Sequence, residues 1–235
     1  MRLIGHFITP PAKRPGLDDA DKFQLSMRTT ANCRHNAASR IEANGRVAFI
    51  STTLLSLGLV FIPLMQNSGV DLALKDSVLN MVQIFLGVAV LVYSLIIGTA
   101  RYEIRALELS NNAAQIKELI HELQLIRDQN NGLVAPPALQ EIQQKYARIV
   151  TSCENHEQND YNLAMLEMPN DYTAGDFTKL VIRSQAILSG SWRFVAPTIL
   201  LVAVLIMIFE MFNISKFTET NLQSWRRAPI EKLSS

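Results

Sequence analysis

The chain has 235 residues, 22 basic and 21 acidic side chains, and a mean hydropathy of +0.14. Hydrophobic residues reach 49% and charged residues only 18%, below the roughly 25% usual for soluble domains. The missing charge is concentrated in long uncharged runs, which excludes an ordinary soluble globular enzyme and points to a small integral membrane protein.

Met1 to Thr30 reads as a loose leader. Its first apolar patch, Leu3 to Thr9, contains Gly5 and His6 and stops at Pro10-Pro11. That is too short and broken for a secretory signal, whose apolar core needs about 7–15 residues. Pro15 and an Asp18-Asp19-x-Asp21 cluster follow, and disorder is the expectation there. Residues 1–46 carry eight Lys/Arg against four Asp/Glu. This basic arm is suited to touching anionic lipid or RNA, although the near-neutral whole gives no support for nucleic acid as a bulk partner.

Two runs of 24 residues without Asp, Glu, Lys or Arg come next, Val47–Val70 and Ser77–Ala100. Each exceeds the about 20 apolar residues needed to cross a bilayer core. Arg28, Arg34, Arg40 and Arg46 precede the first run, Lys75 alone lies between them, and Arg101, Arg105 and Lys117 follow the second. The positive-inside rule therefore places the N-terminus and the long middle segment on the cytoplasmic side, with a short outer turn. A third apolar run, Phe194 to Ile214, contains Glu210, the only acid within any span. Its flanking charges tie, which leaves a crossing or a re-entrant helix; its 21 residues make a crossing the expectation.

The first run holds Thr52 and Ser56 four residues apart on one face, and the second holds Gln83, Gly87, Ser94 and Gly98. Ser94 and Gly98 have the small-xxx-small spacing that lets helices approach closely. Two readings stand: packing inside a bundle, or polar groups facing water in an assembled pore. Three helices cannot enclose a wide channel, so conduction requires a homo-oligomer in membrane lipid. A constitutive ion channel is the weaker reading, since no charge lies within the first two spans.

The cytoplasmic stretch opens with a helical run from Arg101 to Asn130. Leu109, Asn112, Ile116, Leu119, Leu123 and Ile126 fall on heptad a and d positions. They suit either a self-assembling coil or an intramolecular hairpin with the next helix, which begins near Ala138 after Gly132 and Pro136-Pro137. That second helix presents Leu139, Ile142, Tyr146, Ile149 and Val150 on one face. Enzyme motifs are missing: His121-Glu122 lacks the second histidine of a zinc-protease helix, and the ten glycines make no phosphate loop. No catalytic residue and no cofactor is expected. Cys33-x-His35 and Cys153-x-x-His156 could together make a split Cys2His2 zinc site, but the first pair is too tightly spaced for the usual finger pattern, so buried thiols are expected in place of a metal site or a cytoplasmic disulfide.

The order of the pieces carries a resemblance. Cys33-Arg34-x-Asn36-Ala37-x-x-Arg40 leads into the hairpin; Tyr102 and Arg105-Ala106 follow it; Asn155-His156-x-x-x-Asp160-Tyr161 comes after the second cytoplasmic helix. From about Leu25 to Leu188 this arrangement resembles the SLATT family, two-transmembrane effector domains associated with SMODS and SLOG proteins, and looks most like the subgroup encoded beside reverse transcriptases. The resemblance implies a bacterial anti-phage effector. It would sit in the inner membrane and breach it on a signal from a partner, such as a reverse transcriptase with its nucleic-acid product or a nucleotide signal. No small-molecule substrate is expected.

The motif residues Arg34, Asn36, Arg40, Tyr102, Arg105, Asn155, His156, Asp160 and Tyr161 are then the site candidates. For the last group, His156 and Asp160 would share a face if helical, or Asp160 would cap a short helix with Tyr161 packed beneath. A trigger-sensing histidine is the third option. The competing function is a membrane anchor that recruits a soluble partner through its cytoplasmic helices. The expected architecture is all-α: a flexible leader (1–30), a basic pre-span helix with the transmembrane hairpin (31–100), a cytoplasmic helical module (101–192), and a third transmembrane helix with its tail (193–235).

Overall fold

The computed structural model describes residues 12–13, 18–69, 72–173 and 175–211. Among them six helices carry the fold: α1 (Asp19–Asn67), α2 (Asp76–Ala100), α3 (Tyr102–Gln129), α4 (Pro136–Thr151), α5 (Gln158–Leu166) and α6 (Asp176–Met211). Two short strands, β1 (Ala12–Lys13) and β2 (Tyr172–Thr173), pair antiparallel. The chain divides into two compact units, Met1–Asn44 with Arg101–Arg193, and Gly45–Ala100 with Phe194–Ser235. Helices α1 and α6 each contribute to both.

The first unit is built around the N-terminal half of α1. Met27 and Ala31 pack with Ile116, Leu119 and Leu123 of α3 and Ile142 of α4. Ala37, Ala38 and Ile41 pack with Ala106 and Leu109, while Leu25 meets Met165, Met168 and Tyr172. Because its small and apolar residues face several neighbours, α1 is covered on more than one side here. The heptad stripe of α3 is used internally, in a hairpin with α4. That turn contains Asn131 and Gly132 at φ 53° and 87°, and Pro136 opens α4, where a missing N–H costs nothing. Leu139, Tyr146, Ile149 and Val150 join the same cluster.

The leader expected over 1–30 ends earlier than its composition suggested. Helix α1 begins at Asp19, and Asp18 Oδ1 accepts the Asp21 N–H at 2.6 Å. The acidic cluster is therefore an N-terminal cap, where negative charge meets the positive end of the helix dipole. Met27 at 0% exposure then anchors a stretch that was expected to be disordered. Residues 1–11 and 14–17 lie outside the described set. A second shift concerns residues 31–44, which belong with α3–α5 in the first unit and not with the hairpin, because their alanines and Ile41 pack there.

In the second unit, Leu55 and Ile62 of α1, Leu79 and Leu86 of α2 and Val204 of α6 form one apolar cluster. Leu72 and Leu74, in the connection between α1 and α2, fold back into it. Helices α1 and α2 each contain a stretch long and apolar enough to cross a membrane. Their other apolar side chains, such as Phe49, Leu57, Ile84 and Leu91, are exposed, as lipid contact requires. The C-terminal apolar run continues α6, and Val204 and Ile208 pack on the cluster; residues 212–214 lie outside the described set.

Candidate functional site

The arginines of α1 are six residues apart, and six steps of 100° turn successive side chains by about 120° relative to one another. Arg28, Arg34 and Arg40 thus leave the helix in three directions and meet three different elements. Arg28 Nη2 stands 3.1 Å from Asp171 Oδ2, an ion pair without hydrogen-bond alignment. Arg34, 1% exposed, donates Nη2–H to the Val150 carbonyl in the last turn of α4 at 3.3 Å. That places a cation at the negative end of a helix. Its Nε and Nη1 are buried with no hydrogen-bond partner among the described residues.

Arg40 makes the most complete contact. Its Nε–H and Nη2–H reach the two oxygens of Asp160 at 2.9 Å each, and Nη1 pairs with Glu157 at 3.0 Å. Asp160 is 4% exposed. It also accepts the Glu157 N–H at 2.9 Å, while the Glu157 side chain accepts the amide of residue 160, a reciprocal box that starts α5. One carboxylate therefore both caps α5 and ties it to α1. Burial lowers the Arg40 pKa, but Asp160 first, then Glu157 and Glu154, raise it further, and the net direction is upward.

The other motif residues surround this contact within the same unit. Asn36 Nδ2 donates to Glu167 at 3.0 Å. Arg105 donates Nη2–H to Glu154 at 2.9 Å and Nε–H at 3.0 Å, and Tyr102 packs against the Ala37–Leu109 cluster. Asn155 accepts the His156 N–H at 3.0 Å. His156 lies before α5, so it does not share a helical face with Asp160. It stacks on Tyr161, with ring centroids 6.3 Å apart, and Tyr161 packs on the Leu25–Tyr172 cluster. Burial first, then the Arg34 guanidinium, hold the imidazole below its ordinary value, with Asp160 opposing. Asn112, 3% exposed, donates to the Ile149 carbonyl and to Ser152 Oγ, so the buried amide of the heptad fastens α3 to the end of α4.

Burial, with the nearby Asp160 charge, pushes the Cys33 thiol up to about 12, and burial likewise raises Cys153. Both are free thiols with little thiolate at neutral pH. Among the described residues, no group of three His, Cys, Asp or Glu side chains is placed to hold a metal.

The span candidates lie in the other unit. Thr52 and Ser56 return their hydroxyls to the carbonyls of Ala48 and Thr52, at 3.0 and 2.8 Å. Gln83 donates to Gln66, which donates to Asn80 at 3.2 Å, closing a polar link between α1 and α2. A β-carbon at Gly87 or Gly98 would meet nothing within 4 Å, and Ser94 is exposed. Among the described glycines, Gly58 is placed for close approach, where a β-carbon would come 3.3 Å from Val204 and 3.6 Å from Leu86. Sequence reasoning passed over Gly58 because no small residue at four-residue spacing accompanies it. It also passed over Glu154, Glu157 and Glu167, whose arginine and asparagine partners lie 49 to 131 positions away.

A protein-family model described as "SMODS and SLOG-associating 2TM effector domain family 5" matches residues 18–209. No curated protein and no solved structure matches the chain.

Proposed function

We propose that this chain, which belongs to the SMODS and SLOG-associating two-transmembrane effector domain family 5, is an antiviral effector of the bacterial inner membrane that a cytoplasmic partner releases to perturb that membrane. One observation carries the reading: α1 is a single helix whose first half is gripped by the soluble module and whose second half is a membrane-length apolar segment. A partner that loosens the Arg40–Asp160 contact acts directly on a helix that enters the bilayer. The candidate partner is a reverse transcriptase with its nucleic-acid product, or a nucleotide signal. Because Arg34 is buried and Arg28 and Arg40 face carboxylates, the partner would recognise the module's surface and not a free basic arm. The N-terminus and residues 101–193 face the cytoplasm in this reading, and copies assemble through α2.

The test is membrane potential in live bacteria, read with a voltage-sensitive dye while the chain is induced and its insertion is checked by fractionation. Depolarisation that appears with the chain, or with the chain and its trigger, supports the proposal. A membrane that stays polarised under both conditions overturns it. The second reading, a membrane anchor, is favoured by Thr52, Ser56 and Gln83, whose polar groups are already bonded within α1 and α2. It expects the module to recruit its partner with the span residues freely replaceable.

A further inference from the structure

We propose that Arg34 and His156 form a buried binding site for a small inorganic anion, with chloride as the ligand. The Arg34 guanidinium is 1% exposed, and its Nη2–H reaches the Val150 carbonyl at 3.3 Å. Nε and Nη1 have no hydrogen-bond partner among the described residues, and neither has the buried Nδ1 of His156. Leaving a buried donor unpaired is costly, most of all on a charged group.

Charge points the same way. Arg28, Arg40, Arg105 and Arg127 each face a carboxylate, whereas no carboxylate is a hydrogen-bond partner of Arg34 among the described residues. Asp160, whose charge acts on both His156 and Cys33, spends its oxygens on Arg40 and the Glu157 amide. Glu154 is held by Arg105. A buried cation is expensive without a counter-charge, and a bound anion supplies one.

Burial sets the size of the ligand. A guanidinium at 1% exposure leaves no room for the rest of a nucleotide or an acidic peptide, so the ligand is a small ion. It enters through the connection between α4 and α5, where Ser152, Glu154 and Asn155 are exposed. Burial first, then the Arg34 charge, hold the His156 ring below its ordinary value. The imidazole therefore serves as a neutral donor in its Nδ1–H tautomer. Water is the rival occupant, and Asn112 Oδ1, also buried without a hydrogen-bond partner, suits one. All these residues lie in the first unit, and the site does not depend on the membrane-perturbing reading.

The test is thermal melting of the full chain in detergent, with chloride replacing gluconate at constant ionic strength and neutral pH. Gluconate is too large to be enclosed and serves as the reference ion. The wild-type midpoint should rise by a few degrees for each tenfold increase in chloride once the site fills, and bromide should substitute. Arg34→Met should melt at one temperature across the series. Arg148→Met, at an exposed arginine, should respond like wild type. Arg34→Lys keeps the charge but loses the guanidinium donors, and should need roughly tenfold more chloride; it carries the comparison if Arg34→Met does not fold. A wild-type midpoint indifferent to chloride overturns the proposal and leaves the donors to water. So does a chloride response that Arg34→Met or Arg34→Lys shares in full.

Discussion

Arg40 and Asp160, 120 positions apart in the chain, meet through two parallel hydrogen bonds of 2.9 Å each. The pair is largely shielded, with Arg40 at 21% and Asp160 at 4% side-chain exposure. A carboxylate so placed cannot lose its partner cheaply, because it is left charged in a poorly solvated site and still needed as a cap.

Asp160→Asn removes the charge that pairs with Arg40 and weakens the cap, so it should destabilise the first unit by about 3 kcal/mol. Arg40→Lys should recover only part of the wild-type stability, since an ammonium offers a point charge and no planar fork. Thermal melts of the full chain in detergent, followed by circular dichroism, check both. Unchanged melting in Asp160→Asn would remove the pair from any holding role.

Arg34 should behave in the opposite way. It is fully buried, and among the described residues only its Nη2 has a hydrogen-bond partner; a buried ion replaced by an apolar residue of similar volume is often neutral or stabilising. Arg34→Met should keep or raise the melting temperature where Arg40→Met lowers it. Equal losses in the two variants would contradict the difference between these arginines.

Acid should weaken the first unit through His156. Its folded-state pKa lies below the ordinary 6.5, so the folded protein binds fewer protons than the unfolded chain as pH drops. The stability linked to the neutral ring is present above that ordinary value and is lost as pH falls through the folded-state pKa. Denaturation midpoints between about pH 7 and about pH 5 should decline less steeply in His156→Gln. A slope identical to wild type would place the acid sensitivity elsewhere.

The two kinds of glycine in the spans should separate folding from assembly. Gly58→Leu forces a side chain against Val204 and Leu86 and should lower the melting temperature by overpacking, at a cost of about 1–3 kcal/mol. Gly98→Leu has open space and should leave the single chain intact. In the proposed assembly it reduces oligomers on native gels together with toxicity, and so does Ser94→Leu. Oligomers that survive both substitutions would exclude this face of α2 from the contact.

Much of the helical layout was legible in residue pattern. The uncharged runs marked the membrane-length segments of α1 and α2, Gly132 and Pro136 marked the α3–α4 turn, and the a/d stripe marked the buried face of α3. It did not tell an internal partner from a second copy, since apolar spacing is the same for both. Asp18 was misjudged because an acidic cluster beside prolines suits a solvated leader as well as a helix cap. Pairings between distant segments left no trace, since they have no local signal. Convergence on Arg40 was hidden for a similar reason: Glu157 and Asp160 become its partners only once α5 folds back.

The six-residue spacing of the arginines has one more consequence. A shaft keyed on three sides cannot roll by degrees, because any turn that frees Arg28 from Asp171 also disturbs Arg34 at Val150 and Arg40 at Asp160. In the proposed function, small pushes on the module would be absorbed, and only an input that withdraws all the keys would let the shaft turn. A lock of that kind would filter noise, answering the proposed trigger in a step where a single contact would answer in proportion.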